Sequence, residues 1–218
     1  CLTVGLNIGK SIAAFSNKPF IGINHLEGHA LSPGLEKKIK FPYLLLLISG
    51  GHTQFLIVKD VNKYEQLGTT IDDALGEAFD KTARLLKMGY PGGPEIEKYA
   101  ALGDENRFQL PMPIINESNA HFSFAGLKSA VANIVAKNRC TEKFKKDMAA
   151  SFQATINKII FTKTQNAIRE YKRVIKSKKT LKVVVAGGVA ANKSIRSSLK
   201  ALESMENCQF LFPSIKYC

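Results

Sequence analysis

The segment from residue 43 to residue 58 is the feature that most constrains how this chain folds. It consists of a continuous apolar run from Tyr43 to Ile48, a Gly50-Gly51 pair and a second apolar run from Gln54 to Val58. Two such runs separated by a glycine turn are typical of a β-hairpin with buried strands. The hairpin therefore predicts a sheet that other elements cover.

The rest of the chain has helical and strand patterns in a definite order. After the hairpin, the predicted elements are a strand at 64–67, a helix at 72–87, an insertion near 90–125 with one short helix around 95–101, a helix that starts after residue 126, a basic helical region at 143–173, a strand at 181–186, a helix at 191–202 and a strand at 209–212. Three successive strands followed by alternating helices and strands predict a mixed sheet with helices packed on it, an α/β architecture.

The residues before the hairpin have a different pattern. Leu2 to Phe15 has apolar residues at helical intervals, and Phe20 to Ile23 has the character of a short buried strand. The chain begins with Cys1 rather than methionine, so we expect a piece of a longer protein.

The segment from His25 to His29 places two imidazoles four residues apart. In a helix this spacing puts both rings on one face, where their nitrogens can bind one cation. Two ligands do not make a complete metal site, and a pair of polar residues on an ordinary helix is the alternative. The spacing alone leaves both interpretations open.

Two glycine pairs lie at turns where backbone could approach a ligand. Gly50-Gly51 separates two strands, and Gly187-Gly188 separates a strand from a helix. Amide N–H groups at such turns and at helix amino termini bind anionic oxygens, although tight turns alone also favour glycine. With Ser49 and Asn192 beside them, the two pairs predict a nucleotide cleft.

Acidic residues lie in the first turns of the helix that follows the hairpin. Asp73, Glu77 and Asp80 are three or four residues apart and would share a helix face, where carboxylates can bind ribose hydroxyls or a cation. Alternatively, Asp72 and Asp73 stabilise the helix amino terminus, and Glu77 pairs with the lysine four residues later.

Most of the net charge of +13 lies in one region. Residues 137–182 contain fourteen Lys or Arg and three Asp or Glu, a net charge of +11. Such a concentration is typical of a surface that binds a phosphate-rich polymer, and a solvated lysine-rich helix face is the alternative. We predict that Lys172, Arg173 and Lys176 contact a nucleic acid.

The composition also predicts the compartment. The four cysteines form no Cys-x-x-Cys pair, the longest apolar run is too short to span a bilayer, and the amino terminus lacks the pattern of a secretory signal. We therefore predict a cytoplasmic protein without a membrane segment.

Six segments together resemble one protein family. They are His25–His29, Leu47–Thr53, Asp72–Lys81, Pro91–Pro94, Phe122–Lys128 and Ala186–Asn192. They occur in the order of the TsaD family, formerly called glycoproteases or O-sialoglycoprotein endopeptidases, and their sequences resemble those of the bacterial members. The resemblance covers essentially the whole chain.

The resemblance implies the fold of actin, Hsp70 and sugar kinases, in which two related α/β lobes of ribonuclease H type enclose a nucleotide cleft. Residues 1–42 would be the C-terminal part of the first lobe. Residues 43–218 would be the second lobe, with the insertion near 90–125.

The resemblance also implies the ligands and the residues that bind them. His25 and His29 would bind one divalent metal, iron or zinc, and ATP or threonylcarbamoyl-AMP would occupy the cleft. The residues that would form this cleft are Leu47, Ile48, Ser49, Gly50, Gly51, Asp80, Gly93 and Asn192.

The chain departs from the family pattern at both ends. The third protein ligand of the family's metal, an aspartate, would follow Cys218, and the hairpin with the first phosphate loop would precede Cys1. We therefore expect the chain alone to be inactive.

The implied activity is transfer of the threonylcarbamoyl group from threonylcarbamoyl-AMP to N6 of the adenosine next to the anticodon, in tRNAs that read codons beginning with A. The implied partners are tRNA, contacted by Lys172, Arg173 and Lys176, and bacterial proteins of the TsaB and TsaE types. One alternative is a metal-dependent glycoprotein endopeptidase, although Glu27 is two positions after His25 and not directly after it, as in common zinc proteases. The other is a non-catalytic scaffold that binds nucleotide and tRNA.

Overall fold

The computed structural model describes residues 2–35, 39–176 and 180–214. Its centre is a five-stranded sheet in the order β3-β2-β1-β4-β5. β2 is antiparallel to both of its neighbours, whereas β4 and β5 run parallel to β1, as in the mixed sheet predicted from the sequence. The strands are β1 (Tyr43–Ile48), β2 (Thr53–Asp60), β3 (Lys63–Thr69), β4 (Leu181–Ala186) and β5 (Cys208–Leu211).

Helices precede the sheet and separate its strands in sequence. In the described residues they are α1 (Leu2–Phe15), α2 (His25–Leu31), α3 (Leu75–Leu85), α4 (Gly92–Ala100), α5 (Ala125–Lys137), α6 (Glu142–Ile175), α7 (Lys193–Lys200) and α8 (Leu202–Glu206), with 3-10 turns at Ser32–Leu35 and Gly188–Ala191. The sheet begins at residue 43, where the boundary between two lobes is predicted. The division into lobes itself stays a prediction.

β1 is the central strand because every one of its side chains is apolar. All six of its residues are buried, and it pairs with β2 along its whole length and with β4 from Leu44 to Leu47. A strand without polar alternation is stable only where both of its faces are covered. The β1–β2 hairpin predicted from the sequence is therefore confirmed, and it forms the middle of the sheet.

The two faces of the sheet pack against different parts of the chain. Leu46 belongs to the larger core, which the sheet forms with α3 to α8. Leu47 belongs to a smaller core on the other face, which includes Ala30 of α2. The Tyr43 hydroxyl donates a 2.7 Å hydrogen bond to the Ala30 carbonyl, so α2 is tied directly to the start of β1.

Residues 2–24 lie outside both cores. The predicted helix at Leu2–Phe15 is present as α1, but none of its residues is buried. Phe20–Ile23, predicted as a short buried strand, has no strand conformation, and Ile21 is 81% exposed. That prediction is wrong because a buried strand needs a paired neighbour for its backbone groups. The described sheet ends at β3 and β5 instead of extending to this segment.

Two predicted helices differ from the observed ones at their ends. The helix predicted at 72–87 begins only at Leu75, so the two aspartates precede it. The helix predicted at 191–202 is divided into a 3-10 turn, α7 and α8. Asn192 causes the first break, between the 3-10 turn and α7, because its side chain accepts a 2.9 Å hydrogen bond from the Ile195 amide and starts α7 at Lys193.

α6 carries most of the basic region and is the longest helix described. It has 34 residues, which corresponds to about 51 Å. The Thr141 side chain caps its amino terminus, and Lys176 ends it in a left-handed conformation with φ 50°. The basic residues near its start, such as Lys143, are therefore far from those near its end, such as Lys172. None of the described helices has the length and apolar character needed to cross a bilayer.

Candidate functional site

A cavity of about 360 Å³ lies beyond the carboxyl ends of β1 and β4. The β1–β2 turn, α3, the start of α4 and the 3-10 turn after β4 form its walls. Ligands of open α/β sheets bind outside the carboxyl ends of the strands, and pockets for small molecules typically have about 300–1,000 Å³. Four of the eight predicted cleft residues line this cavity, namely Gly50, Asp80, Gly93 and Asn192.

The other four predicted cleft residues lie behind or beside the cavity lining. Leu47 and Ile48 are buried in β1. Ser49 stabilises the turn, because its hydroxyl accepts a 3.1 Å hydrogen bond from the His52 amide. Gly51 is exposed next to Gly50. The structure therefore brings half of the predicted set together around the cavity, and the other half lies outside its lining.

Two glycines allow the backbone segments around the cavity to approach each other. A Cβ atom at Gly76 would lie 2.7 Å from the Ser49 carbonyl oxygen, so α3 can contact the β1–β2 turn only with glycine at this position. Gly187 has φ 96°, a conformation that favours glycine. By contrast, Gly50 and Gly51 lack a left-handed φ, and a Cβ at either would have no atom within 4 Å. The turn itself does not require these two glycines.

Asp80 and Asn192 both make hydrogen bonds that hold the cavity walls in place. One carboxylate oxygen of Asp80 accepts a 2.8 Å hydrogen bond from the Gly92 amide, which joins α3 to the start of α4. Besides capping α7, Asn192 donates a 2.9 Å hydrogen bond to the Gln153 side chain in α6. Both residues therefore contribute rigid walls as well as polar groups at the cavity surface.

The two predicted metal ligands face each other on α2. The ring centroids of His25 and His29 are 4.6 Å apart, and the ring planes meet at 72°. Burial lowers the pKa of His29, and the nearby charges of His25 and His52 lower it further. The neutral imidazole is the form that binds a metal, so this environment suits a ligand.

The described residues do not form a complete metal site. Among them, no group of three or more His, Cys, Asp or Glu side chains has the arrangement of a metal site. His121 lies elsewhere, because its Nδ1 atom is hydrogen-bonded to the Thr69 backbone. Because a tetrahedral metal needs four ligands, the His25–His29 pair alone would leave such a site incomplete.

Glu27, between the two histidines, faces the sheet. Its Oε1 atom accepts a 2.8 Å hydrogen bond from the Tyr64 hydroxyl and a 3.3 Å bond from the Asn62 amide. Burial, and then the hydrogen bond to Glu27, raises the pKa of Tyr64 to about 12, so the hydroxyl keeps its proton. Sequence reasoning did not find this role, because nothing in the local pattern links Glu27 to β3.

The predicted acidic helix face is not present. Asp73 precedes α3 and pairs with Lys81 at 2.9 Å and with Lys128 at 3.3 Å. Asp72 instead caps α5, because its carboxylate accepts hydrogen bonds from the Phe124 and Ala125 amides. The interpretation that all three of Asp73, Glu77 and Asp80 share a face of α3 is therefore wrong, because Asp73 precedes the helix. The alternative pairing of Glu77 with the lysine four residues later is confirmed, since the two side chains lie 2.7 Å apart.

The predicted nucleic-acid contacts at the end of α6 are largely engaged by acids. Lys172 lies 2.8 Å from Glu206, whose side chain is only 8% exposed and which also pairs with Arg169. Arg173 lies 3.2 Å from Glu170. Lys176 is exposed at the helix end. The prediction that these three cations contact nucleic acid stays untested, and intramolecular ion pairs account for two of them.

The fold is that of the actin, Hsp70 and sugar-kinase class. The chain superimposes with a TM-score of 0.63 on full-length HypF in its phosphate- and nucleotide-bound form, with 14% identity over 91% of this chain and 34% of that one. A second match is component A of the (R)-2-hydroxyglutaryl-CoA dehydratase of Acidaminococcus fermentans, with a TM-score of 0.51 and 16% identity over 88% of this chain and 62% of that one. At these identities, the likeness defines the fold alone.

Sequence comparison identifies the family within this class. The model of the TsaD family, described as tRNA N6-adenosine threonylcarbamoyltransferase, matches residues 1–218, so the chain belongs to this family. The chain is 56% identical to the tRNA N6-adenosine threonylcarbamoyltransferase of Pelagibacter ubique, in an alignment that covers all of this chain and 60% of the relative. For the Rickettsia massiliae protein of the same name, identity is 47% over 99% of this chain and 63% of the relative. The chain thus spans about three fifths of its relatives' length.

Proposed function

We propose that the protein is part of a tRNA N6-adenosine threonylcarbamoyltransferase. This enzyme transfers the threonylcarbamoyl group from threonylcarbamoyl-AMP to N6 of the adenosine next to the anticodon, in tRNAs that read codons beginning with A. The observation that carries the proposal is the convergence of Gly50, Asp80, Gly93 and Asn192 around one cavity, in a chain that belongs to the TsaD family.

The cavity would bind the adenylate of ATP or threonylcarbamoyl-AMP. Gly50 and Gly188 at its rim would let amide groups approach the phosphate, and donors fixed in this way stabilise the charge that develops on a leaving phosphate. The half-buried Asp80 carboxylate is a suitable acceptor for ribose hydroxyls. The hydrogen bonds of Asp80 and Asn192 would keep these groups in position before the ligand binds.

His25 and His29 would bind one divalent metal, iron or zinc, together with ligands from outside the described residues. When bound, such a metal acts as a Lewis acid that polarises a carbonyl oxygen. Glu27 would keep α2 seated on the sheet, and with it the two histidines. We assign no general base.

The two alternatives from the sequence are less well supported. A zinc protease needs a carboxylate that reaches the metal-bound water. In this structure the Glu27 carboxylate instead accepts hydrogen bonds from Tyr64 and Asn62, which disfavours the protease alternative. A non-catalytic scaffold would not depend on the histidine pair. We further propose a cytoplasmic location and partners of the TsaB and TsaE types, in keeping with a tRNA substrate.

A tRNA-modification assay with the bacterial partner proteins tests this proposal in the protein extended to the full length of its relatives. We expect His25→Ala together with His29→Ala to abolish modification, while His121→Ala, away from α2, retains it. Modification that persists without both histidines would favour the scaffold. Glycoprotein cleavage by the unaltered protein, lost in the double variant, would favour the endopeptidase.

A further inference from the structure

The described structure has a second group of basic residues, at the end of the helical layer opposite the carboxyl end of α6. The Cys140 thiol lies 3.9 Å from the Leu86 carbonyl oxygen, which joins the end of α3 to the α5–α6 connection. Five basic residues lie within three positions of this contact, and we call them the α3–α6 corner. They are Arg84, Lys87, Lys137, Arg139 and Lys143.

The cations of the α3–α6 corner are not neutralised by the protein. All five are exposed, and none of them forms an ion pair within the part of the chain that the structure describes. The single acid in the same two stretches is Glu142, which Lys145 already engages at 2.8 Å. The far end of α6 differs, because Arg169 and Lys172 there form ion pairs with Glu206, and Arg173 forms one with Glu170.

Helix stability explains only part of this charge. Arg84 and Lys137 occupy the last turns of α3 and α5, where cations are favourable. Lys87 and Arg139 lie after these helices, in connecting segments. Lys143 lies in the first turn of α6, where a positive charge is unfavourable. The corner thus holds more positive charge than its helices require, which points to an external anion.

The corner is also nearer to the candidate cavity than the far end of α6 is. Gln153 marks the level of the cavity along α6, because it accepts the hydrogen bond from Asn192. At 1.5 Å per residue, Lys143 is about 15 Å from this level, whereas Lys172 is about 28 Å from it. Lys87 is also only three residues from Tyr90, which lines the cavity.

We infer that the α3–α6 corner binds the phosphate backbone of the tRNA whose adenosine is modified. The inference rests on the proposed function, since it assumes that the substrate is tRNA. Phosphate contacts would position the RNA without reading its sequence, and the short connection from the corner to the cavity would bring a nearby nucleotide to the cleft.

A comparison of charge-neutralising variants in the full-length protein tests the inference, with tRNA binding followed by fluorescence anisotropy at several salt concentrations. The corner variant is Lys87→Gln, Arg139→Gln and Lys143→Gln. A matched control removes the same charge from exposed lysines elsewhere, by Lys18→Gln, Lys63→Gln and Lys200→Gln. A third variant neutralises the far end of α6, by Lys172→Gln, Arg173→Gln and Lys176→Gln.

We expect the corner variant to bind tRNA at least about tenfold more weakly near 0.1 M salt and to lower the salt slope by about 2, because each lost phosphate contact contributes about 0.7–0.9 to the slope. The control and far-end variants should change affinity much less. An equal or larger loss in the far-end variant, or none in the corner variant, would overturn the inference and leave the proposed function intact. If the unaltered protein binds adenylate but not tRNA, the proposed substrate is wrong, and the inference is wrong with it.

Discussion

The Tyr64 hydroxyl donates a 2.8 Å hydrogen bond to Glu27, although the two residues are 37 positions apart. The bond joins α2, which carries both histidines, to β3 at the edge of the sheet. It gives the central acid of the His-Leu-Glu-Gly-His segment a structural partner. The position of the histidines over the sheet therefore depends in part on this contact.

Removing this bond should weaken metal binding by the extended protein. We expect Tyr64→Phe and Glu27→Gln each to lower the metal affinity by about fivefold or more, since a net hydrogen bond contributes about 1 kcal/mol, and the double variant to lose little beyond either single one. Competition with a chelator measures the affinity. Gln66→Ala, on the same strand as Tyr64, is the control and should bind metal as the unaltered protein does. Unchanged affinity in both single variants would contradict the positioning role of Glu27.

Gly51 and Gly187 should respond differently to substitution. Gly51→Val should leave the melting temperature nearly unchanged, because a Cβ there meets nothing within 4 Å and φ is not left-handed. It should weaken adenylate binding, because the new side chain stands beside Gly50 in the cavity lining. Gly187→Ala should destabilise the fold by about 1–3 kcal/mol, because Gly187 has φ 96° and a Cβ there would be too close to Ile48. Calorimetry with ATP and thermal unfolding separate the two effects. Normal ATP affinity in a folded Gly51→Val protein would show that Gly51 belongs to the turn and takes no part in adenylate binding.

Lys163 should stabilise the insertion from inside the core. Its side chain is fully buried, and its ammonium group donates a 2.9 Å hydrogen bond to the Glu117 carbonyl. We expect Lys163→Met to cost about 1–2 kcal/mol and to accelerate amide hydrogen exchange near Glu117, because the Glu117 and Asn119 carbonyls each lose one donor and, among the described donors, keep only the Asn166 side chain. Lys158→Met, at an exposed position on the same helix, should change stability by less than about 0.5 kcal/mol. Equal effects of the two changes would show that the contact is unimportant.

The stability of the unaltered protein should also depend on pH through Lys163. Burial lowers the pKa of Lys163 from 10.5, so the native state loses this proton at a lower pH than the unfolded chain. Between the lowered pKa and 10.5 the unfolded state binds more protons, and the contribution of Lys163 to stability therefore rises with pH in this window. Denaturant unfolding across the window measures it. In Lys163→Met this rise should be absent.

Asp72 should matter for stability and not for ligand binding. Its carboxylate accepts a 2.7 Å hydrogen bond from the Phe124 amide at the start of α5. We expect Asp72→Ala to destabilise the protein by about 1–2 kcal/mol, the usual cost of a lost helix cap. Adenylate and metal affinities should stay unchanged in calorimetry at a temperature where the variant is folded. Loss of adenylate affinity in the folded variant would contradict a purely structural role for Asp72.

The sequence predicted the elements with strong periodicity and placed most of them correctly. The β1–β2 hairpin follows from two continuous apolar runs on either side of a glycine turn, and the helices follow from apolar residues that recur every three or four positions. Phe20–Ile23 shows the limit of such patterns, since the apolar composition of a strand was present without a neighbouring strand. The start of α3 shows another, because Asp72 could cap either its own helix or a distant one.

The sequence by itself determined the hairpin, the mixed α/β order, the family and the candidate residues in the glycine turns and on α2. Only the tertiary structure decided which polar groups remain available to a ligand. Glu206 engages Arg169 and Lys172 across 37 and 34 residues, and Glu27 contacts Tyr64 across 37. Short-range periodicity sets the backbone of each element, whereas these contacts depend on how the elements pack, and the pairing of a charge or a donor is settled only when they meet.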